Sequence, residues 1–171
     1  VKARVVAESE AEKGGGASAW VGACRSTKAL PGFAGPFKQE GYRIALKDGA
    51  LRIAGDDESG DAFAGDKRTG TLFGVYDFLE NEVGVAWIWP GPTGEDVPKL
   101  DRLELKPFSR EEAPRLMYRG IKFSPAYNKH EPKELMVEFP KWFKRQRLSR
   151  VPKLWDGHSW DTYLFRDKVD E

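Results

Sequence analysis

Three residues of this chain have a type and a setting that suggest chemistry. Arg119 lies inside the apolar run LMYRGIKF at 116–123. A charge within a strand needs a partner or a polar ligand, because an unpaired buried charge is strongly unfavourable. Two readings follow: an interdomain salt bridge, or contact with a ligand. His158 and Trp160 stand in GHSW at 157–160, just past a strand-like run at 151–155. At the C-terminal end of a strand in a parallel barrel, such residues line the mouth of an active site. There a Trp face stacks on a sugar ring and a His nitrogen bonds to hydroxyls. The alternative is a loop His beside a packing Trp.

Other groups fail as sites. His130-Glu131 starts like a zinc-binding HExxH, but Glu134 stands where the second His belongs, and Pro132 interrupts the helix. The single Cys24 excludes a disulfide framework and any Cys-based zinc site. Gly14-Gly15-Gly16 has no following helix and no Lys-Ser/Thr, so it reads as a loop rather than a phosphate cradle. Asp56-Asp57-Glu58 lacks the alternating spacing of a calcium loop and reads as a solvated turn. With 2 histidines no Ser/His/Asp set is defensible, and no carboxylate pair is marked. The expectation is therefore no metal, no cofactor and no catalytic residue within the chain.

The bulk composition narrows the partners. The 171 residues carry 28 basic and 27 acidic side chains, a formal net charge of +1. That balance argues against a dedicated nucleic-acid binder. The basic run KWFKRQRLSR at 141–150 thus reads as an amphipathic helix, with Trp142 and Phe143 inward and its Lys and Arg solvated. Hydrophobic content of 40%, with 6 Trp and 10 Phe, is enough for a sizeable core. No apolar run is long enough to span a bilayer. No signal-peptide pattern occurs at residues 1–10, and the chain begins with Val rather than Met, as a fragment would.

These groups must be positioned by an α+β framework. Residues 1–6 alternate like an edge strand, and ASAWVGA at 17–23 reads as a buried strand. GYRIAL at 41–46 and ALRIA at 50–54 flank Asp48-Gly49, a strong hairpin signal because the tight turn needs positive φ. Leu72, Phe73, Tyr76, Leu79 and Val83 recur at helical spacing, which predicts a helix over 69–81 that Gly84 ends. Strands follow at 85–89 and 103–105. PFSREEAP at 107–114 reads as a linker between domains, with an accessory domain at 1–110 and a second unit at 111–171. In that unit 116–123 is a strand, 132–148 is helical but split or restarted at Pro140, and 151–155 is a strand.

The segment GTLFGVYDFLENEVGVAWIWPGPTGEDVP at 70–98, followed by APRLMYRG at 113–120, resembles the N-terminal region of bacterial alpha-glucuronidase-like proteins. These are similar to glycoside hydrolase family 67 and, more distantly, to the second domain of family 20 hexosaminidases. The likeness covers about residues 18–165. It implies a mixed β-sheet with helices packed on one face, followed by the first βαβ portion of a truncated (β/α)8 barrel that opens at Tyr118-Arg119-Gly120. It also implies a non-catalytic accessory module of a carbohydrate-active protein, a glycan partner for the full-length protein, and a secreted or periplasmic location. Arg119 matches an Arg that contacts the sugar in family 20. The family's acidic catalytic residues would lie on strands beyond Glu171, and its Asp-x-x-Arg-His pattern is replaced by FSPAY at 123–127. Residues 1–171 alone should therefore have no hydrolase activity. A different class of function is a non-catalytic carbohydrate-binding or protein-interaction module, with Trp87, Trp89 and Trp160 as exposed platforms. The competing expectation sets Trp87 and Trp89 on opposite faces among Leu- and Val-rich neighbours, so that at least one belongs to the core.

Overall fold

The structure, a computed structural model, describes residues 6, 7, 10, 18–64, 66–121 and 133–151. It is an α+β arrangement around a four-stranded mixed sheet. The strands are β1 (Ser18–Val21), β2 (Tyr42–Lys47), β3 (Ala50–Gly55) and β6 (Phe108–Glu112), in the order β1-β3-β2-β6. β1 runs parallel to β3, and the other pairings are antiparallel. Lys47 pairs with Ala50, which leaves Asp48-Gly49 as a two-residue turn. Both turn residues have positive φ, 54° and 72°. The hairpin thus forms where the Asp-Gly signal predicts it, since such turns match the twist of the flanking strands.

Alternation along the strands sorts the two faces. Tyr42, Ile44 and Ile53 point to one face and form a buried cluster with Phe73. Phe73 comes from helix α2 (Gly70–Phe78), which continues as one wider turn over Leu79–Val83. Gly84, at φ 86°, ends it, and the Val85 amide reaches back to the Leu79 carbonyl at 3.0 Å. Ala45 and Ala54 point to the other face and pack on Phe33, with Leu30 and Phe37 beside them. The short helix α1 (Arg25–Lys28) lies on this second face, where the Arg52 guanidinium donates to Ser26. The long helix thus covers one face, and the second face is covered by this four-residue helix and irregular chain.

The sequence segment 107–114 is not a linker. Phe108–Glu112 is β6, paired with β2 from Leu46↔Phe108 to Tyr42↔Glu112. Its charges hid the strand, yet Arg110 and Glu111 both have partners. Arg110 faces α2 and bonds to Asp77 at 2.9 Å and Glu82 at 3.1 Å. Glu111 faces the other way and takes a two-pronged hydrogen bond from Arg43 at 2.9 and 3.0 Å. Residues 103–105 form no strand. The strand expected at 85–89 shortens to β4 (Ala86–Trp87), paired with β5 (Glu95–Asp96) across a turn containing the 3-10 segment Pro92–Gly94. Helix α3 (Lys133–Arg145) runs on through Pro140 without a break. Pro140 lies on its exposed side with Met136, where water can take the carbonyl left without an amide donor. Of the 116–123 strand, the described part shows one antiparallel bridge, Arg119↔Ser149. Residues 122–123, 152–155 and 1–5 lie outside the described residues.

Helix α2 sits very close to the sheet, and its small residues explain how. A Cβ on Gly70 would meet the Gly41 carbonyl and come within 2.6 Å of the Asp56 amide nitrogen, both fixed backbone atoms. A Cβ on Gly74 would instead come within 2.7 Å of a methyl of Ile53, a side chain that can give. Ala normally favours a helix over Gly by about 1 kcal/mol, but overpacking costs roughly 1–3 kcal/mol and occasionally more. We therefore expect Gly70→Ala to destabilise by about 3 kcal/mol. Gly74→Ala should cost about 1 kcal/mol after its helical gain. Urea denaturation midpoints check this, and the reverse ranking would contradict the packing.

Candidate functional site

The most heavily charged buried position in the described structure is the join between the sheet and residues 116–121 and 133–149. Glu40 precedes β2 and is fully buried, with 0% exposure, in a left-handed backbone conformation at φ 53°. Its amide donates to Asp56 Oδ2 at 2.9 Å, which anchors that conformation at the end of β3. Its Oε2 accepts from Arg119 Nη2 at 2.6 Å. The rest of the Arg119 fork is also occupied: Nε donates to the Arg147 carbonyl at 2.9 Å, and Nη1 to the Leu116 carbonyl at 2.7 Å. The backbone of Arg119 bonds to Ser149 in both directions, at 3.0 and 3.3 Å.

A second cation shares this space. Lys144, on α3, is also fully buried, and its Nζ donates to the Lys67 carbonyl at 2.9 Å and Thr69 Oγ1 at 3.2 Å. Lys144 Nζ and Arg119 Cζ lie 5.5 and 5.9 Å from the Phe73 ring centre, within cation–π reach. Burial pushes the Lys144 ammonium below its usual range; the Glu40 charge opposes that shift and the Arg119 charge adds to it. Glu40 Oε1 is buried and has no hydrogen-bond partner. One carboxylate thus faces two cations with one of its oxygens unused.

These contacts bear on each expected site residue. Of the two readings of Arg119, the geometry displays the salt bridge, with Nε and both Nη atoms donating to protein acceptors. His158 and Trp160 lie outside the described residues. Trp87 is 8% exposed, packs edge-on against Tyr76 at 5.1 Å, and belongs to a cluster with Val85. Its carbonyl accepts from Trp142 Nε1 at 3.2 Å and Gln146 Nε2 at 2.5 Å. Trp89 is 60% exposed. Trp87 is thus inward and Trp89 outward, but not through strand alternation, which gives residues two apart the same face; β4 ends at Trp87, and Trp89 lies in the loop beyond it.

Two charged stretches do more than solvate. In the 141–150 run, Phe143 is buried as expected, but Lys144 is buried too. Arg145 pairs with Glu95 at 2.5 Å, Arg147 pairs with Glu80, and Lys141 pairs with Glu138 at 2.6 Å. In the 56–58 cluster, Asp56 faces Arg68 at 3.0 Å, and Asp57 accepts the Thr71 amide at 2.9 Å and its hydroxyl. Asp57 thus satisfies an amide in the first turn of α2. Among the described residues no group of three or more His, Cys, Asp or Glu side chains is placed to hold a metal ion. Nor is any helix there long and apolar enough to cross a membrane. Glu40 and Lys144 gave no sequence signal. One sits in the polar lead-in to a hairpin, and the other looks like any Lys in a basic helix.

No family model, no curated protein and no solved structure matches this chain.

Tyr42 carries the clearest pH signature. It is buried in the sheet core, and burial, with Asp77 as the next cause, pushes its hydroxyl from 10.0 up to about 12. The folded state therefore holds this proton more tightly than the unfolded chain. Its stabilisation is present below pH 10 and is lost as pH rises toward about 12. Tyr76 shifts in the same direction, while Lys144, held below its usual range, works the other way up to pH 10.5. The Tyr42 contribution amounts to roughly 2–3 kcal/mol. Between pH 9 and 12, Tyr42→Phe should lose that much less stability than the wild type, as measured by urea unfolding at each pH. Parallel pH profiles would contradict the assignment.

Proposed function

We propose that this chain is the non-catalytic accessory module, with the beginning of a barrel, of a carbohydrate-active protein resembling the alpha-glucuronidase-like glycoside hydrolases. The observation that carries the reading is where residues 70–98, the most specific part of the resemblance, sit in the fold. Phe73, Tyr76 and Trp87 are buried in its core clusters. Gly70 and Gly74 hold α2 against the sheet, and Asp77 is paired with Arg110 on β6. A segment used in this way is framework, which is the part an accessory module plays. Arg119 then locks the start of the next unit to that framework. The reading frame beyond the codon for Glu171 tests the proposal. Several hundred further residues of alternating strand and helix are expected there, and a stop codon would overturn it.

A second reading, a carbohydrate-binding or interaction module, is favoured by Trp89 alone. Ile88, at its side, is also exposed. The loop that carries them is closed by hydrogen bonds from the Ile88 amide to the Gly94 carbonyl at 2.8 Å and from the Gly94 amide to the Gly91 carbonyl at 3.0 Å. A Cβ on Gly94 would strike the Trp89 backbone, so the turn is tight. A ring held outward by a fixed loop gives a ligand a surface at little ordering cost. Under this reading the protein binds on a glycan array, and Trp89→Ala abolishes binding with the melting temperature unchanged. Binding that survives the substitution removes Trp89 as the platform.

A further inference from the structure

The ion pairs that join the C-terminal segment to the rest of the described structure share one sign pattern. Glu40, Glu80 and Glu95 belong to the body, 18–112, and their partners Arg119, Arg147 and Arg145 belong to the segment. Lys144 adds a fourth cation from the segment, received by the Lys67 carbonyl and Thr69. The body thus presents carboxylates and carbonyls as a socket, and the segment presents guanidinium and ammonium groups as the plug. The central pair is built with care. Both Glu40 and Arg147 hold left-handed conformations, at φ 53° and 54°, and both supply acceptors to the Arg119 fork. Such conformations cost of order 1–3 kcal/mol each and persist only where their surroundings fix them.

We propose that residues 116–121 and 133–149 form one unit latched to the body by these opposite charges, and that it releases as a whole while the sheet stays folded. Removing one anion leaves a buried cation without compensation, which is strongly unfavourable. The chain can relieve that penalty by letting the segment return to water. The sheet has independent reasons to persist. Ile44 and Ile53 are paired across β2 and β3, and β6 is clamped by Arg110–Asp77 and Arg43–Glu111. Release would also free the Trp87 carbonyl from Trp142 and Gln146, loosening β4 at the base of the Trp89 loop. The inference rests on the placement of charge and holds whatever chemistry the full protein performs.

Native-state hydrogen exchange on the full chain tests it. In Glu40→Gln, the Arg119, Gln146 and Ser149 amides should exchange about tenfold faster or more, while the Ile44 and Ile53 amides stay within about twofold of wild type. Should Glu40→Gln fail to fold, Glu95→Gln carries the test, because its pair is partly exposed; about threefold faster exchange confined to the segment is then expected. Equal acceleration of segment and sheet amides, or no acceleration of the segment, would overturn the proposal.

Discussion

The constraint on which the joining of the C-terminal segment to the sheet depends is the burial of the Glu40 carboxylate. A carboxylate with no exposure must be met by a cation, and Arg119 meets it at 2.6 Å from the far side of the chain. Once Arg119 is fixed there, its remaining donors must find acceptors, and the carbonyls of Leu116 and Arg147 are drawn in. Arg147 in turn sets the end of α3, so the helix arrives with Lys144 over Phe73 and Trp142 over Trp87. One ion pair thereby links the end of β3 through Asp56, the hairpin start, α2 through Phe73, and α3. Buried pairs seldom add net stability over apolar substitutes. What this one supplies is register: it admits one docking of the segment on the sheet.

The hydrophobic effect supplies the stability that the charges do not. Ile44, Ile53, Tyr42 and Phe73 form a contiguous core on one face, and Phe33, Ala45 and Ala54 form another on the opposite face. The difference between the faces is physical. One receives a regular helix that approaches through glycines at 70 and 74, while the other is covered by short, irregular chain around Leu30 and Phe37. Alanines at 45 and 54 leave room for Phe33 where larger residues would not.

Much of the framework was legible because it is built from local rules. Asp48-Gly49 dictates a tight hairpin whatever surrounds it, and the spacing of Phe73, Tyr76 and Leu79 dictates a helix face whatever it packs against. The misreadings of the 107–114 and 141–150 segments share one cause: charged residues whose partners are distant in sequence. SREE in 109–112 looks like a linker until Arg110 is seen against Asp77 and Glu111 against Arg43, 33 and 68 residues away. Lys144 looks solvated until the Lys67 carbonyl receives it from 77 residues away. Arg119 was visible as a charge in need of a partner, yet nothing around Glu40 marked it as that partner. Periodicity reports which face is apolar, but it does not report which charges are neutralised by distant chain.

The same distance dependence changes the meaning of the Trp-rich strand. Taken alone, Ala-Trp-Ile-Trp is a short run that a continuous strand would lay out with both rings on one side. In the fold, its backbone is held at Trp87 by two side-chain donors from α3, and its far end is closed by the Gly91–Gly94 turn. A strand only two residues long, paired only with β5, would not hold its own geometry; three-stranded or larger assemblies are usually needed for that. Its order comes from α3, which is held by the charges around Glu40, and from the packing of Trp87 on Tyr76. The backbone at the base of the Trp89 loop is therefore tied through α3 to the buried carboxylate of Glu40, while the loop itself is closed by its own hydrogen bonds.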